Sequence, residues 1–149
     1  MDFKIPKPLK VEHEELHTEL VNAMKVAGKV GEAACTVATF LHPHFAHEEE
    51  YALPPLGLLS ALAEGKVTPE MRQVLALTDK LKAELPQMLD EHKAIVGALQ
   101  KLVAVAQTAG KPEIAHFAEK LMLHAETEEK VLYPAAILVG EYVKAQLNR

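Results

Sequence analysis

The chain has 149 residues, which suits one domain and allows a substantial hydrophobic core. Hydrophobic residues make up 49% of the chain and charged residues 25%, a composition that argues against disorder. The net charge is −5 and no basic block is present, which argues against nucleic acid as a partner. The longest apolar run, Leu53 to Ala63, is shorter than the roughly 18 residues that a membrane span requires.

The same composition bears on the compartment. Cys35 is the only cysteine and cannot form an internal disulfide, and the first ten residues lack the apolar core of a signal peptide. We therefore expect a cytoplasmic protein without membrane attachment, either a monomer or a homodimer. Nothing in the composition marks a boundary, so we expect a single domain over residues 1–149.

Helical periodicity dominates the first half of the chain. Apolar residues recur with a helical period from Leu9 and predict a helix that ends near Gly28–Gly31. A second helical pattern follows and must end around Pro54–Pro55, because proline is not tolerated in a helix interior. A short amphipathic helix is predicted over 56–63.

The second half begins with a helix-start signal, Thr68–Pro69–Glu70, in which Thr68 is the predicted N-cap. A long helical pattern then runs to Gly110. Pro86 lies inside it and predicts a kink or break near Lys82–Leu85.

Another helix is predicted to open at Lys111–Pro112–Glu113 and to be interrupted by Pro134, with a last segment over 135–147. Four main helices with short connections indicate an all-α protein. The predicted fold is an antiparallel four-helix bundle with short extra helices.

The chain also repeats itself. Two segments share the pattern H-x-x-x-E-E, one beginning at His44 and one at His124, and each has a proline ten residues after its histidine. A Glu–His pair precedes each segment, which places His13 31 residues before His44 and His92 32 residues before His124. The repeat predicts a two-helix unit used twice, related by a pseudo-twofold axis. The two halves would span about residues 9–65 and 68–147.

Helical phase predicts where these side chains point. His44 and His124 lie on apolar helix faces, and Glu48 and Glu128 follow one turn later, about 40° around the helix. His13 and His92 also share their faces with apolar residues. A lone inward histidine is usually a hydrogen-bonded core residue, but burying this many ionisable groups would cost several kcal/mol each unless they were paired. Metal coordination removes that cost, and imidazole with carboxylate suits iron, manganese, zinc or copper.

At these residues the sequence resembles the hemerythrin family, specifically its HHE cation-binding branch, from about His13 to Pro134. In that family two non-haem irons lie inside a four-helix bundle, bridged by two carboxylates and an oxo or hydroxo oxygen, with histidines completing the coordination. The resemblance implies that Glu48 and Glu128 are the bridges. The full set of ligands that it implies is His13, His44, Glu48, His92, His124 and Glu128.

The sequence departs from the oxygen-carrying members at two places. Those members have a second histidine four residues after the one on the third helix, where this chain has Val96. The equivalent position on the first helix is His17, which helical phase also turns inward; it is either a fifth imidazole ligand or an uncoordinated core histidine. The carriers place an aspartate where this chain has Glu129, but we expect Glu128 to bridge because it mirrors Glu48.

Other polar residues near the predicted site give weaker signals. His47 lies at the edge of the core-facing side, as a ligand or a gate, and His42 is expected to point outward. Glu12 and Glu91 precede the upstream histidines and are expected to be surface charges.

The resemblance implies a di-iron protein that binds O2 or a related small oxidant, such as peroxide or nitric oxide, for oxygen binding, sensing or detoxification. A di-iron peroxidase or a reductase that consumes nitric oxide would use the same site, as would a non-catalytic metal-storing or iron-responsive bundle. Whether the protein is an enzyme stays open, and zinc or manganese is a possible substitute for iron. Tyr51 and Tyr133 lie near the ligand turns, where they either pack or donate hydrogen bonds to a bound oxygen species.

Imidazole and carboxylate bind metal only when deprotonated, so we expect bound metal to be released as the pH falls through the range in which histidine titrates. Atomic absorption after dialysis at successively lower pH measures the retained metal. Full retention below that range would contradict histidine ligation.

Overall fold

The computed structural model describes residues 1–148, which form helices and connecting turns without a β-strand. The predicted all-α class is confirmed. The α-helices are α1 (Lys7–Met24), α2 (Lys29–His47), α3 (Leu59–Ala63), α4 (Leu75–Thr108), α5 (Pro112–Thr127) and α6 (Tyr133–Leu147). Two π-helical segments, π1 (Glu48–Ala52) and π2 (Glu128–Leu132), and two 3₁₀ segments, Pro54–Leu58 and Pro69–Val74, complete the order.

Four of these helices make the bundle. Short turns reverse the chain between α1 and α2 and between α4 and α5, and Gly28 and Gly110 in those turns have φ angles of 80° and 69°. Glycine adopts this left-handed region without the steric cost that a Cβ atom imposes. Helix α2 packs on α4, α4 on α5, and α1 on both α2 and α5, which closes the predicted four-helix bundle.

The core has two main apolar layers along the bundle, and the histidines lie between them. On α4, Met88 belongs to one layer and Ile95 to the other, with His92 between them. On α1, Leu9 packs against the first layer and Leu16 belongs to the second, with His13 between them. The apolar layers therefore separate the histidine positions from solvent at both ends of the bundle.

Both H-x-x-x-E-E segments pass from an α-helix into a π segment that begins at the first glutamate, Glu48 or Glu128. A π segment accommodates one additional residue per turn and shifts the phase of everything that follows it. The two repeats thus share the same local irregularity, as expected of a pseudo-symmetric unit.

The prolines behave differently from their predicted effects. Helix α4 continues through Pro86, so the break expected near Lys82–Leu85 does not occur; packing of α4 against α2, α5 and α6 compensates for the one lost backbone hydrogen bond. Pro134 does not interrupt the chain's helical course either. It lies in the first turn of α6, where its missing N–H is tolerated.

The helix-start signal at Thr68 opens a 3₁₀ segment rather than α4 itself, and the Thr68 side chain makes no capping hydrogen bond. None of the helices within residues 1–148 combines the length and apolarity needed to cross a bilayer.

Helices α4 and α6 pack closely enough at Gly140 to give a test of the fold. A Cβ atom added to Gly140 would lie 2.1 Å from Thr78 Oγ1 and 2.7 Å from Thr78 Cβ, so we expect Gly140→Ala to destabilise the protein by about 1–3 kcal/mol. Gly97→Ala is the matched control, because open space surrounds that helical glycine and alanine favours helix by roughly 0.5–1 kcal/mol. Chemical denaturation at equal metal content measures both; equal stabilities would contradict the packing.

Candidate metal centre

Six ionisable side chains meet between the apolar layers, and each is at most 6% exposed. Their potential ligand atoms form two groups that share Glu128, and within each group these atoms lie within 4.8 Å of one another. One group, called the His44–His92 half, consists of these two histidines with Glu48 and Glu128. The other, called the His13–His124 half, consists of these two histidines with Glu128. The six residues are those that the resemblance implies: His13, His44, Glu48, His92, His124 and Glu128.

Glu128 faces both halves. Its Oε1 atom lies 3.4 Å from His92 Nε2, while its Oε2 atom lies 3.4 Å from His13 Nε2 and 3.3 Å from His124 Nε2. The two carboxylate oxygens therefore point to different halves of the cluster. This is the arrangement that a bridging carboxylate needs.

Glu48 lies between the halves from the other side. Its Oε1 atom is 3.5 Å from His44 Nε2 and 3.8 Å from His13 Nε2. Its Oε2 atom accepts a 2.7 Å hydrogen bond from the Tyr133 hydroxyl. The two glutamates thus contact histidines of both halves, but only Glu48 is held by a tyrosine.

The Tyr133 hydroxyl makes the two halves different. It lies 3.2 Å from His44 Nε2 and 3.1 Å from His92 Nε2, on the His44–His92 half. On an uninterrupted α-helix Tyr133 would lie about 180° from His124, facing away from the core. The additional residue in π2 turns it inward. Tyr51, by contrast, donates to Met88 Sδ at 3.4 Å and has a packing role.

A second set of carboxylates holds the outer nitrogens of the histidines. His44 Nδ1 lies 2.7 Å from Glu91 Oε1, and His92 Nδ1 lies 2.9 Å from Glu129 Oε1. Because a carboxylate only accepts, each of these Nδ1 atoms carries the hydrogen, which leaves the Nε2 lone pair directed at the cluster. The complete set of pairs is His44–Glu91, His92–Glu129, His124–Glu12 and, at 3.8 Å, His13–Glu49.

Glu12 is 50% exposed, as expected of a surface charge, and Glu91 is 23% exposed, but the expectation missed that both carboxylates pair with cluster histidines. Each reaches a histidine of the other repeat: Glu12 pairs with His124, and Glu91 pairs with His44. The signal was present in the sequence, because the Glu–His pair and the doubled glutamate both occur in each repeat.

Several inner atoms of the cluster lack partners, most of them in the His13–His124 half. His13 Nε2, His124 Nε2, Glu48 Oε1 and Glu128 Oε2 are all buried without a hydrogen bond, as is His13 Nδ1. An unsatisfied buried polar atom costs about 1–3 kcal/mol, and these atoms surround one shared space. Since all are imidazole nitrogens or carboxylate oxygens, the donor set fits first-row transition metals.

Charge within the cluster is unevenly distributed. Burial, together with the neighbouring Glu128 carboxylate, raises the pKa of Glu48 well above its usual value. Burial also acts to raise the pKa of Glu128, but Glu48 and the surrounding imidazoles lower it well below its usual value. Burial lowers the pKa of His44, despite the opposing Glu91 carboxylate.

The prediction that His17 faces inward is wrong. Its side chain is exposed, it belongs to neither half of the cluster, and its ring centre lies 5.1 Å from that of His42, which is exposed as predicted. Leu16 and Leu20 take the core-facing positions on this part of α1, which leaves His17 at the rim. His47 is 34% exposed and lies 3.4 Å from Glu91 Oε1, outside both halves.

Comparison with protein families agrees with this geometry. The model of the hemerythrin HHE cation-binding domain matches residues 7–136. This range includes both Glu–His pairs, both H-x-x-x-E-E segments and all six residues of the cluster. The chain belongs to the hemerythrin HHE cation-binding family. In comparisons with curated proteins and with solved structures, no match was found. The buried His/Glu cluster is the place in this HHE domain where cations would bind.

The outer carboxylates of the HHE domain give a test of the cluster. We expect Glu91→Gln and Glu12→Gln each to weaken metal binding roughly 10- to 100-fold, because an amide orients the imidazole less well than a carboxylate. Competition with a chromophoric chelator measures the affinity. Glu119→Gln, at an exposed position on α5, is the matched control. Unchanged affinity in the first two variants would contradict an orienting role.

Proposed function

We propose that this protein is a non-haem di-iron protein that binds O2 or a related small oxidant, such as peroxide or nitric oxide. In this proposal His44 and His92 would hold one iron and His13 and His124 the other. Glu48 and Glu128 would each serve both irons. The observation that carries the proposal is the carboxylate of Glu128, whose two oxygens face imidazole nitrogens of different halves at 3.3–3.4 Å.

The balance of ligand charges supports small-oxidant binding. Four neutral imidazoles and two carboxylates place less negative charge on a metal pair than a carboxylate-rich site does, which disfavours the high oxidation states that hydroxylation requires. A di-iron pair supplies the electrons and the free coordination positions with which O2, peroxide or nitric oxide is bound. We propose iron because the family resemblance implies it. Zinc or manganese is a substitute that the same residues would accept, since metal availability as well as affinity decides occupancy.

The chain's own residues provide the surroundings for that chemistry. The apolar layers keep bulk water from both ends of the cluster. Burial, reinforced by the Glu48 and Glu128 carboxylates, raises the pKa of Tyr133, so its hydroxyl remains protonated and acts as a hydrogen-bond donor. That hydroxyl lies at the His44–His92 half, where it can donate to a small ligand or to Glu48 Oε2.

Anaerobic loading with ferrous iron tests the proposal. We expect two irons per chain and a charge-transfer absorption band that appears on admitting air and disappears when oxygen is removed. A band that persists as a ferric product would favour peroxidase or reductase work at the same site. Two bound irons without any spectral response to air, peroxide or nitric oxide would favour a metal-storing or iron-responsive bundle. Binding of fewer than two irons would contradict the dinuclear proposal.

Peroxide reduction is the second candidate, because the Tyr133 hydroxyl supplies a hydrogen-bond donor beside three cluster atoms. If that hydroxyl stabilises the reacting peroxide by a hydrogen bond, Tyr133→Phe should retain two irons but consume peroxide roughly tenfold more slowly. Tyr142→Phe, on the same helix and 40% exposed, is the matched control. An unchanged rate of peroxide consumption in Tyr133→Phe would rule out this role.

A further inference from the structure

A cavity of about 540 Å³ between α1 and α2 reaches from the surface to His13, one residue of the cluster. His17 and His42 line its outer part, together with Glu14. His13 and Phe45 line its inner part. The function proposed above does not use the two outer histidines.

The inner end of the cavity is a cluster residue. His13 is 3% exposed, and both of its ring nitrogens are buried without a hydrogen bond. Its ring stacks on Phe45 with the ring centres 4.0 Å apart, and its Nδ1 lies 3.8 Å from Glu49 Oε1. A buried imidazole whose two nitrogens have no hydrogen bond therefore lines the inner end of this cavity.

The outer end has the spacing of a metal site. The ring centres of His17 and His42 lie 5.1 Å apart, with the ring planes at 48°. Two imidazole nitrogens that share a tetrahedral cation at about 2.1 Å bring their ring centres to about 5 Å from each other. The two residues come from different helices, so the packing of α1 on α2 sets this spacing.

Charge favours a cation at this opening. Glu14 and Glu49 line the cavity, against one lysine, Lys10. The adjoining groove shares Glu14 and adds Glu15, together with Glu19, whose carboxylate is ion-paired with Lys120 at 2.7 Å. In a chain with a net charge of −5, a carboxylate-rich face raises the local concentration of divalent cations.

We propose that His17 and His42 form a third, labile metal site that captures a divalent transition-metal ion from solvent. The ion then passes along the cavity by way of Glu49 to His13 and so into the cluster. The captured ion is the cluster's own metal, so the transfer part of this inference rests on the proposed function. The capture site itself does not.

Cobalt(II) is a suitable probe because its absorption reports coordination without redox change. Stopped-flow mixing of the full-length apoprotein with cobalt(II) should show slower filling of the cluster in the double variant His17→Ala/His42→Ala, by about tenfold. The cluster itself should still take two cobalt ions per chain in each protein. His116→Ala, which removes an exposed histidine on α5, should fill at the unaltered rate. Equal rates in all three proteins would overturn the transfer role.

The capture site is measured separately by calorimetric titration of cobalt(II) into protein already loaded with zinc. The unaltered protein and His116→Ala should bind one further, weaker equivalent that the double variant lacks. Absence of that equivalent in the unaltered protein would overturn the capture site, even if the cluster holds two metals. A cluster that takes no metal would instead refute the proposed function, while the extra equivalent at His17 and His42 would still be measurable.

Discussion

The structure depends on one constraint: six ionisable side chains occupy the middle of a bundle whose remaining interior is apolar. Unpaired, these groups would cost several kcal/mol each, and part of that cost is visible as buried atoms without partners on His13, His124, Glu48 and Glu128. In the proposed function, a shared pair of cations would compensate for all of them together, since it would convert unsatisfied nitrogens and oxygens into ligands. Apolar layers on both sides then strengthen those interactions by excluding water.

The repeated sequence explains how one chain builds such a site. Each repeat contributes three residues to the cluster: the histidine of its Glu–His pair, and the histidine and first glutamate of its H-x-x-x-E-E segment. Of the four remaining glutamates, three hydrogen-bond outer histidine nitrogens, and Glu49 lies 3.8 Å from His13 Nδ1. Glu12 and Glu91 contact histidines of the other repeat, whereas Glu129 contacts a histidine of its own repeat. These pairs join the two repeats through the imidazoles of the cluster. Tyr133 breaks this symmetry, because only one half of the cluster has a hydroxyl beside it.

Much of this arrangement could be predicted from the sequence, because helical phase is reliable along regular α-helix. It correctly turned the six cluster residues toward the core. The four histidines lie in α-helix, and the two glutamates are the first residues of the π segments. Helical phase failed for His17, which lies about 40° around α1 from His13. That rotation is enough to move a side chain from the core to the rim, and the packing of Leu16 and Leu20 into the core places His17 at the rim. Helical phase gave Tyr133 no definite role, because the π segment before it shifts the phase by a residue. The outer carboxylates were missed because their partners lie on other helices, which no single-helix argument can identify.

In the proposed function, the Glu128 carboxylate joins two metal ions. Anomalous diffraction at the iron edge, from crystals of anaerobically iron-loaded protein, tests this role most directly. We expect two iron peaks on opposite sides of Glu128, one beside each of its oxygens. A single peak, or irons lying outside the six-residue cluster, would contradict it.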